Sequence, residues 1–400
     1  MKEKIKTLVD FHKEKIIKLT RNLVATPSET GTEATIISVL TREMHEMGFD
    51  EISIDDMGNL IGKIGTGPKI LAIDAHVDTV GLGELSNWGF NPLYGKVEDD
   101  KIYGRGSCDQ KGGLATALYA VKLLKELGVP KTLTIYFVAS IFEENAEGVN
   151  WQYLVKNLGI KPDAVLLTEP SNLGISLGHR GRIDLEVHAT GISSHGSMPD
   201  LGDNPIYKLS RIISEIEKLH EDLPEDPDFG KGSIAVTAIN SQSVSLNAVP
   251  EKAMIYLDRR LGLNDSEESA IKEITELPSV KESKAEVRVY SFRIKTYKGY
   301  VQTVKAYYPS WKMSLDHPLV QVAIDTYKSQ FNEDPETKYW QFSTNGVATK
   351  GLFDIPTIGF GPGDEKYAHT CEEHVPIDHL LKATAFYLSF YMKWAENTKD

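Results

Sequence analysis

Five short segments of this chain carry side chains suited to binding divalent cations. Ala75-His76-Val77-Asp78-Thr79-Val80 is followed by Gly104-Arg105-Gly106-Ser107-Cys108-Asp109-Gln110-Lys111-Gly112-Gly113. Glu143-Glu144 comes next, then Thr168-Glu169-Pro170 and, far downstream, Ala368-His369-Thr370. Taken as one set they offer two imidazoles, three carboxylates as hard or borderline ligands, and a spare carboxylate. Two divalent cations and one general base require that inventory.

The glycine-rich segment before residue 112 invites a second reading, since glycine-rich turns ahead of helices bind phosphate. Its spacing matches neither a Walker motif nor a dinucleotide fingerprint. Asp109 in its middle would also repel phosphate. Bridging two cations with its two oxygens is the better role for Asp109, with the glycines letting backbone approach the site closely.

These residues need a scaffold that brings them together. Residues 69–75, 133–139 and 163–167 are nearly continuous apolar runs bounded by turn residues, as expected of strands buried on both faces. A helix-like segment, Gly112 to Gly128, lies between the first two, and another helix is expected over 33–49. The order predicts an α/β sheet with helices on both faces. In such a sheet, ligands bind beyond the carboxyl ends of the strands. His76 and Asp78, Glu143 and Glu144, and Glu169 each follow one of these runs.

The pattern changes after Gly178. Residues 183–189 alternate apolar and polar, the mark of a half-exposed strand. A helix (204–220), strands at 233–239 and 252–257, a helix (266–277) and a strand at 285–290 follow. This βαββαβ order predicts a small α+β sandwich inserted in the larger domain. The acidic, proline-containing stretch 221–231 reads as an exposed loop. From Pro318 a helix resumes, and the chain returns to the α/β core and ends on a helix.

Composition narrows the function classes. The chain has 400 residues, 41% hydrophobic and 25% charged, as in a soluble globular protein. Its net charge of −13 and lack of a basic run argue against nucleic acid and anionic membrane surfaces. Residues 1–24 read as an amphipathic helix without a signal-peptide apolar region. No stretch approaches the roughly 18 apolar residues of a membrane span. Cys108 and Cys371, the only cysteines, exclude a disulfide framework and suit the cytoplasm. Both flank proposed ligands, and small buried packing residues are the simplest account of them.

His76-x-Asp78, Gly104-Arg105-Gly106-x-x-Asp109-x-Lys111-Gly112, Glu143-Glu144, Glu169 and His369 resemble, in order and over almost the whole chain, the M20 family of dizinc amidohydrolases and metallopeptidases. The family includes aminoacylases, acetylornithine deacetylase and succinyl-diaminopimelate desuccinylase. Glu143 through Tyr153, Gly178-His179-Arg180-Gly181-Arg182, Leu257 through Leu261 and Phe342 through Val347 are similar to its YgeY-like branch, described as selenium-metabolism-linked hydrolases. Nothing in the residues themselves suggests selenium chemistry.

The resemblance implies a zinc-peptidase-like three-layer α/β/α catalytic domain, residues 1–180 with 297–400. It implies an inserted α+β, ferredoxin-like lid and dimerisation domain at 181–296. His76 and Glu169 would hold one metal, Glu144 and His369 the other, and Asp109 would bridge them. The metals would be zinc first, with cobalt or manganese as alternatives. Asp78 would accept a hydrogen bond from the far nitrogen of His76, and Glu143 would be the general base that takes a proton from water. His195, within Ser193-Ser194-His195-Gly196-Ser197, would reach the partner's site in a homodimer and stabilise the oxyanion. Arg180, Asn247 and Arg260 would contact substrate carboxylate or carbonyl groups, with Arg259 a rival for Arg260. Thr344, Asn345 and Gly346, with Gly361-Pro362-Gly363, would line the same pocket.

One departure stands out. Relatives often carry His-x-x-Asn-Glu at the last ligand, whereas this chain reads His369-Thr370-Cys371-Glu372-Glu373-His374. Glu372 would add negative charge near the second metal, and His374 and His379 compete with His369 as the ligand. The expected activity is hydrolysis of a linear amide bond in an N-acyl amino acid or small dipeptide, a small-molecule substrate. An N-carbamoyl hydrolase is the alternative, and a non-catalytic metal-binding protein with this fold is the rival from another class.

Overall fold

The computed structural model describes residues 1–397. Lys69–His76 is the strand on which the site is built. It pairs in parallel with Leu133–Ser140 on one side and Ala164–Leu167 on the other. All but Lys69, Ile70 and Tyr136 are buried, which explains their nearly uninterrupted apolar character. The sheet has nine strands. Leu60–Ile64 and Glu51–Ile54 extend one side, and Thr357–Gly359, Ile175–His179, Trp311–Lys312 and Thr337–Trp340 the other. The last four are short and were not anticipated, because too few residues carry any period.

Helices Lys2–Val24, Gly112–Leu127, Pro318–Phe331 and Ile377–Glu396 pack on one another beside this sheet. The C-terminal helix is anchored by the stacked rings of Phe360 and Phe386, 3.8 Å apart, and by the Tyr387 hydroxyl donating to the Phe360 carbonyl at 2.5 Å. Aromatic pairs of this kind add about 1 kcal/mol beyond area burial. They hold in place the glycine-rich turn 361–363 that precedes His369.

A second apolar cluster gathers Ile183, Leu185, Val187, Leu209, Ile212, Ile216, Ile255, Leu257 and Ile274. It lies under an antiparallel sheet ordered Ser233–Gln242, Lys252–Leu261, Gly181–Thr190, Glu286–Val289. With helices Pro205–Asp222 and Glu267–Thr275 this is the expected βαββαβ unit. The five-stranded sheet also takes in Tyr307–Tyr308, paired with Ile183 and Arg182. A ribbon of Ser291–Lys295 and Val301–Lys305 precedes that strand and packs Ile294 and Val304 into the first cluster.

The stretch 221–231 is more than the exposed loop expected of it. Glu225–Asp226 and Gly230–Lys231 pair, and Leu223 and Phe229 are buried, with Phe229 edge-on to Tyr339. Two apolar anchors among acidic residues leave no periodicity to read.

Candidate metal centre

Strand register brings the site residues together. His76 lies opposite Ser140, so those two strands end level, and the third ends at Leu167, opposite Asp74 and two residues earlier. Glu143 and Glu144 emerge from one end, Glu169 from another and His76 from the middle. The Asp109 loop and the 361–363 turn both close on the Thr168-Glu169 backbone, and a glycine in each allows it. A β-carbon on Gly113 would sit 2.1 Å from the Thr168 carbonyl oxygen, and one on Gly361 would sit 2.2 Å from that of Glu169. No side chain fits at either position.

Asp109 is the centre of the cluster. Its Oδ1 lies 3.0 Å from His76 Nε2, and its Oδ2 lies 3.2 Å from His369 Nε2. Glu169 Oε1 stands 3.6 Å from His76 Nε2, and Glu144 Oε2 stands 3.0 Å from His369 Nε2. The ligand atoms of His76, Asp109 and Glu144 all fall within 4.8 Å of one another, as do those of His76, Glu143 and Glu169. The two oxygens of one carboxylate thus face two imidazoles, each with a further carboxylate beside it.

The electrostatics call for added positive charge. Burial pushes the Glu169 carboxyl up to about 7, against the pull of His76. Hydrogen bonds to Asp109 and Glu144 draw His369 up to about 10. Despite burial, hydrogen bonds from His369 and His76 hold Asp109 below the ordinary carboxylate range. Three carboxylates and two histidines packed at these distances form a donor set that fits divalent cations.

Glu143 differs from its neighbours. It is 5% exposed, and its Oε1 is buried without a hydrogen-bond partner. Burial raises its carboxyl well above the usual range, countered by His76 and reinforced by Glu169. A buried carboxylate oxygen left unpaired is costly, so the site has kept it free for another purpose.

The role expected of Asp78 is corrected. His76 Nδ1 bonds to the Asp78 backbone carbonyl at 2.9 Å, and the Asp78 carboxylate lies 3.7 Å away. That carboxylate instead accepts from the backbone N–H groups of Glu143 and Glu144, both at 3.1 Å, and from the Thr30 hydroxyl at 2.8 Å. The chain turns so sharply after His76 that the nearer main-chain oxygen reaches the ring. Asp78 therefore holds the loop of the glutamate pair.

Two residues were passed over in the sequence. Arg105 and Glu373 form a buried ion pair at 2.6 Å. Glu373 also accepts the N–H groups of Cys108 and Asp109, each at 3.1 Å, while Arg105 donates to the His369 and Thr370 carbonyls at 3.3 Å. One pair thus ties the Asp109 loop to the His369 loop. Glu373→Gln keeps the shape and removes the charge. It should weaken metal binding about tenfold or more, the usual effect of losing an outer partner of a metal ligand. Competition with a chromogenic chelator measures this, and an unchanged affinity would refute the clamp. Gln110, also unflagged, donates to Glu169 at 2.6 Å.

Several expected substrate contacts are also corrected. Arg180 donates from one terminal nitrogen to the Phe229 and Lys231 carbonyls at 2.5 and 2.8 Å, tying the 225–231 ribbon down, while its Nε is buried with no hydrogen-bond partner. Asn345 is fully buried. Its amide donates to Asp74 and Ser140 at 2.8 and 3.2 Å and accepts from Gly148 N–H at 2.8 Å. Thr344 is buried too, with its N–H on His179, and its hydroxyl accepts from Gly346 N–H. A β-carbon at Gly346 would strike Trp311 at 2.4 Å. These three residues are buried.

Arg259 is 1% exposed and pairs with Glu273 at 3.1 Å and Asp265 at 3.4 Å, so it is removed as a rival to Arg260. Arg260 is half-open, in a bidentate pair with Asp258 at 2.7 and 2.9 Å. Arg259→Ala should lower stability by about 3 kcal/mol, because it strands partners of a buried pair. Arg260→Ala should leave the melting temperature nearly unchanged. Equal shifts in thermal melts would refute this distinction.

His195 and Asn247 are exposed on the inserted unit, joined where Gly196 N–H donates to the Asn247 carbonyl at 2.7 Å. Neither joins the metal cluster of its own chain. Glu372 is exposed and does not add its charge to the cluster. His374 packs on Tyr367, and the His379 Nδ1 accepts from Gly363 N–H, whereas His369 stands against Asp109 and Glu144. Cys108 is buried, Cys371 partly so, and both are free thiols.

A mixed-sheet scaffold with an inserted α+β unit and a carboxylate-bridged histidine pair at the ends of its central parallel strands defines a metal-dependent hydrolase. Residues 72–393 match the profile of peptidase family M20/M25/M40, and the chain belongs to that family. It is 39% identical over 374 residues to the uncharacterized protein YgeY of Escherichia coli K12, covering 94% of this chain and 93% of that one. It is 26% identical to a probable succinyl-diaminopimelate desuccinylase of Staphylococcus aureus MRSA252, over 63% of this chain and 69% of the relative. The aminopeptidase PepT of Bacillus cereus shares the fold, with a TM-score of 0.73 at 22% identity, over 96% of this chain and 99% of that one. Among the described residues no helix is long and apolar enough to cross a membrane.

Proposed function

We propose that this chain is a two-metal amidohydrolase that cleaves a linear amide bond in an N-acyl amino acid or small dipeptide. The observation that carries the reading is Asp109, whose two oxygens face His76 and His369 at 3.0 and 3.2 Å. His76 with Glu169, and His369 with Glu144, would hold the two metals. Two divalent cations, zinc first given the imidazole and carboxylate donors, would supply an acidified water and positive charge for the carbonyl oxygen. Glu143 takes the proton and returns it to the leaving amine. Its unpartnered oxygen supports this role and weighs against a protein that only stores metal.

The inserted unit, which we assign to 181–296, serves as lid and dimerisation surface. Ile192, Met198, Leu201, Val244 and Leu246 are exposed around His195, and Ser233–Gln242 is an edge strand. Exposed apolar clusters and open sheet edges mark association surfaces. A homodimer would cover them and carry His195 to the partner's site, where it donates to the oxyanion. The two free thiols suit a cytoplasmic setting.

Metal-loaded protein assayed against N-acyl amino acids, dipeptides and N-carbamoyl amino acids tests the reading. Turnover of one of the first two classes, abolished by a chelator and restored by zinc, is the expected result. Turnover of carbamoyl compounds alone would replace it with the ureido alternative. No turnover of any class at full metal occupancy would sink it.

A further inference from the structure

A cavity of about 400 Å³ opens where the chain crosses between the two apolar clusters. Its walls come from three segments. Phe142 and Asn145 flank the Glu143-Glu144 pair. Arg182 and Asp184 begin the first strand of the inserted unit. Residues 290–295 and Tyr308 belong to the returning chain. Neither Glu143 nor any of the five ligand residues lines it, so it is distinct from the metal centre.

Three features of the lining point to one ligand chemistry. The first is charge: Arg182 pairs with Glu147 at 3.5 Å and Asp184 at 3.7 Å, which leaves Arg293 and Lys295 as unbalanced cations in a chain whose net charge is −13. Arg293 and Lys295 are exposed and have no ion-pair partner among the described residues. The second is unmet hydrogen bonding. Tyr308 is 2% exposed, and its hydroxyl is buried with no hydrogen-bond partner. Buried polar atoms are rarely left unsatisfied. The third is the aromatic wall. Tyr290 and Phe292 stack 5.8 Å apart at 17°, and the Arg182 guanidinium lies 4.7 Å over the Tyr308 ring. The volume falls within the range of small-molecule sites.

We infer that this cavity binds a small organic acid, an aromatic or apolar body bearing one carboxylate, with the carboxylate toward Arg293, Lys295 and the Tyr308 hydroxyl and the body against Tyr290 and Phe292. Such a ligand touches both chain crossings and the loop that carries Glu143 and Glu144.

Calorimetric titration of the full chain with 3-phenylpropionate, metal-free and metal-loaded, tests the inference without relying on turnover. Saturable 1:1 binding is expected, with similar affinity in both forms. Neutral 3-phenylpropanamide should bind about tenfold more weakly, the scale set by losing a charge-assisted contact. The double variant Arg293→Ala, Lys295→Ala should lose affinity to the same degree while melting at the wild-type temperature. In the loaded enzyme the inhibition pattern distinguishes two sources of such an acid. Competitive inhibition marks the free end of a substrate and non-competitive inhibition a separate effector, and either supports the site. Absence of saturable binding, binding untouched by the double variant, or binding that requires metal would overturn the inference.

Discussion

Glu143→Gln is expected to abolish turnover while the protein still holds two metals per chain. The substitution keeps the side chain's shape and removes only its ability to accept a proton. The loop should stay in place, because its anchors are the backbone N–H groups of residues 143 and 144 on Asp78, at 3.1 Å each. General-base catalysis is typically worth 10²–10⁴-fold, so a fall in kcat of about a thousandfold or more is expected. The experiment pairs steady-state rates with elemental analysis of the same sample. The pairing matters, because Glu143 also lies within 4.8 Å of the ligand atoms of His76 and Glu169. Metal lost together with activity would make Glu143 a ligand. Full metal with substantial activity would move the proton-transfer role elsewhere.

What the sequence disclosed and what it withheld divide along physical lines. The three site-bearing strands were legible because burial on both faces demands unbroken apolar runs, and ligands after such runs must gather at one sheet edge. The inserted unit was legible from the alternation in 183–189, where Ile183, Leu185 and Val187 turn inward. Partnerships between distant residues were not. Arg105 and Glu373 are 268 positions apart, and nothing local marks either as half of a clamp. Nor does residue type reveal what a side chain already holds. Arg180 and Asn345 have the chemistry of substrate contacts, yet one nitrogen of the first already holds two main-chain carbonyls, and Asp74, Ser140 and Gly148 occupy the amide of the second. Asp78 was misread for a subtler reason. Its carboxylate and its own backbone oxygen both lie near the His76 ring, and only the path of the turn decides which one bonds.

The second large effect concerns His195. His195→Ala should lower kcat by about 10²–10³-fold, the usual result of removing one oxyanion donor. The local geometry prepares the ring for that task. Ser197 N–H donates to Nδ1 at 3.1 Å, and the Ser197 hydroxyl, 2.7 Å from the same nitrogen, is able to donate to it as well, an arrangement that favours the tautomer with its proton on Nε2. The outward nitrogen is thus a donor, as an oxyanion requires. Because His195 is exposed and joins no cluster in its own chain, the proposal requires it to act across a dimer. Mixing Glu143→Gln with His195→Ala protein, after subunit exchange, tests that requirement. In a mixed dimer the His195→Ala chain keeps its Glu143 and receives an intact histidine from its partner, so one of the two sites works. If half of the dimers are mixed, activity should recover to about a quarter of wild type, as two-fold symmetry dictates. If the histidine acts within its own chain, each mixed dimer has one site without the base and one without the donor. Mixing would then restore nothing, and the assignment of the inserted unit as a shared lid would fall with it.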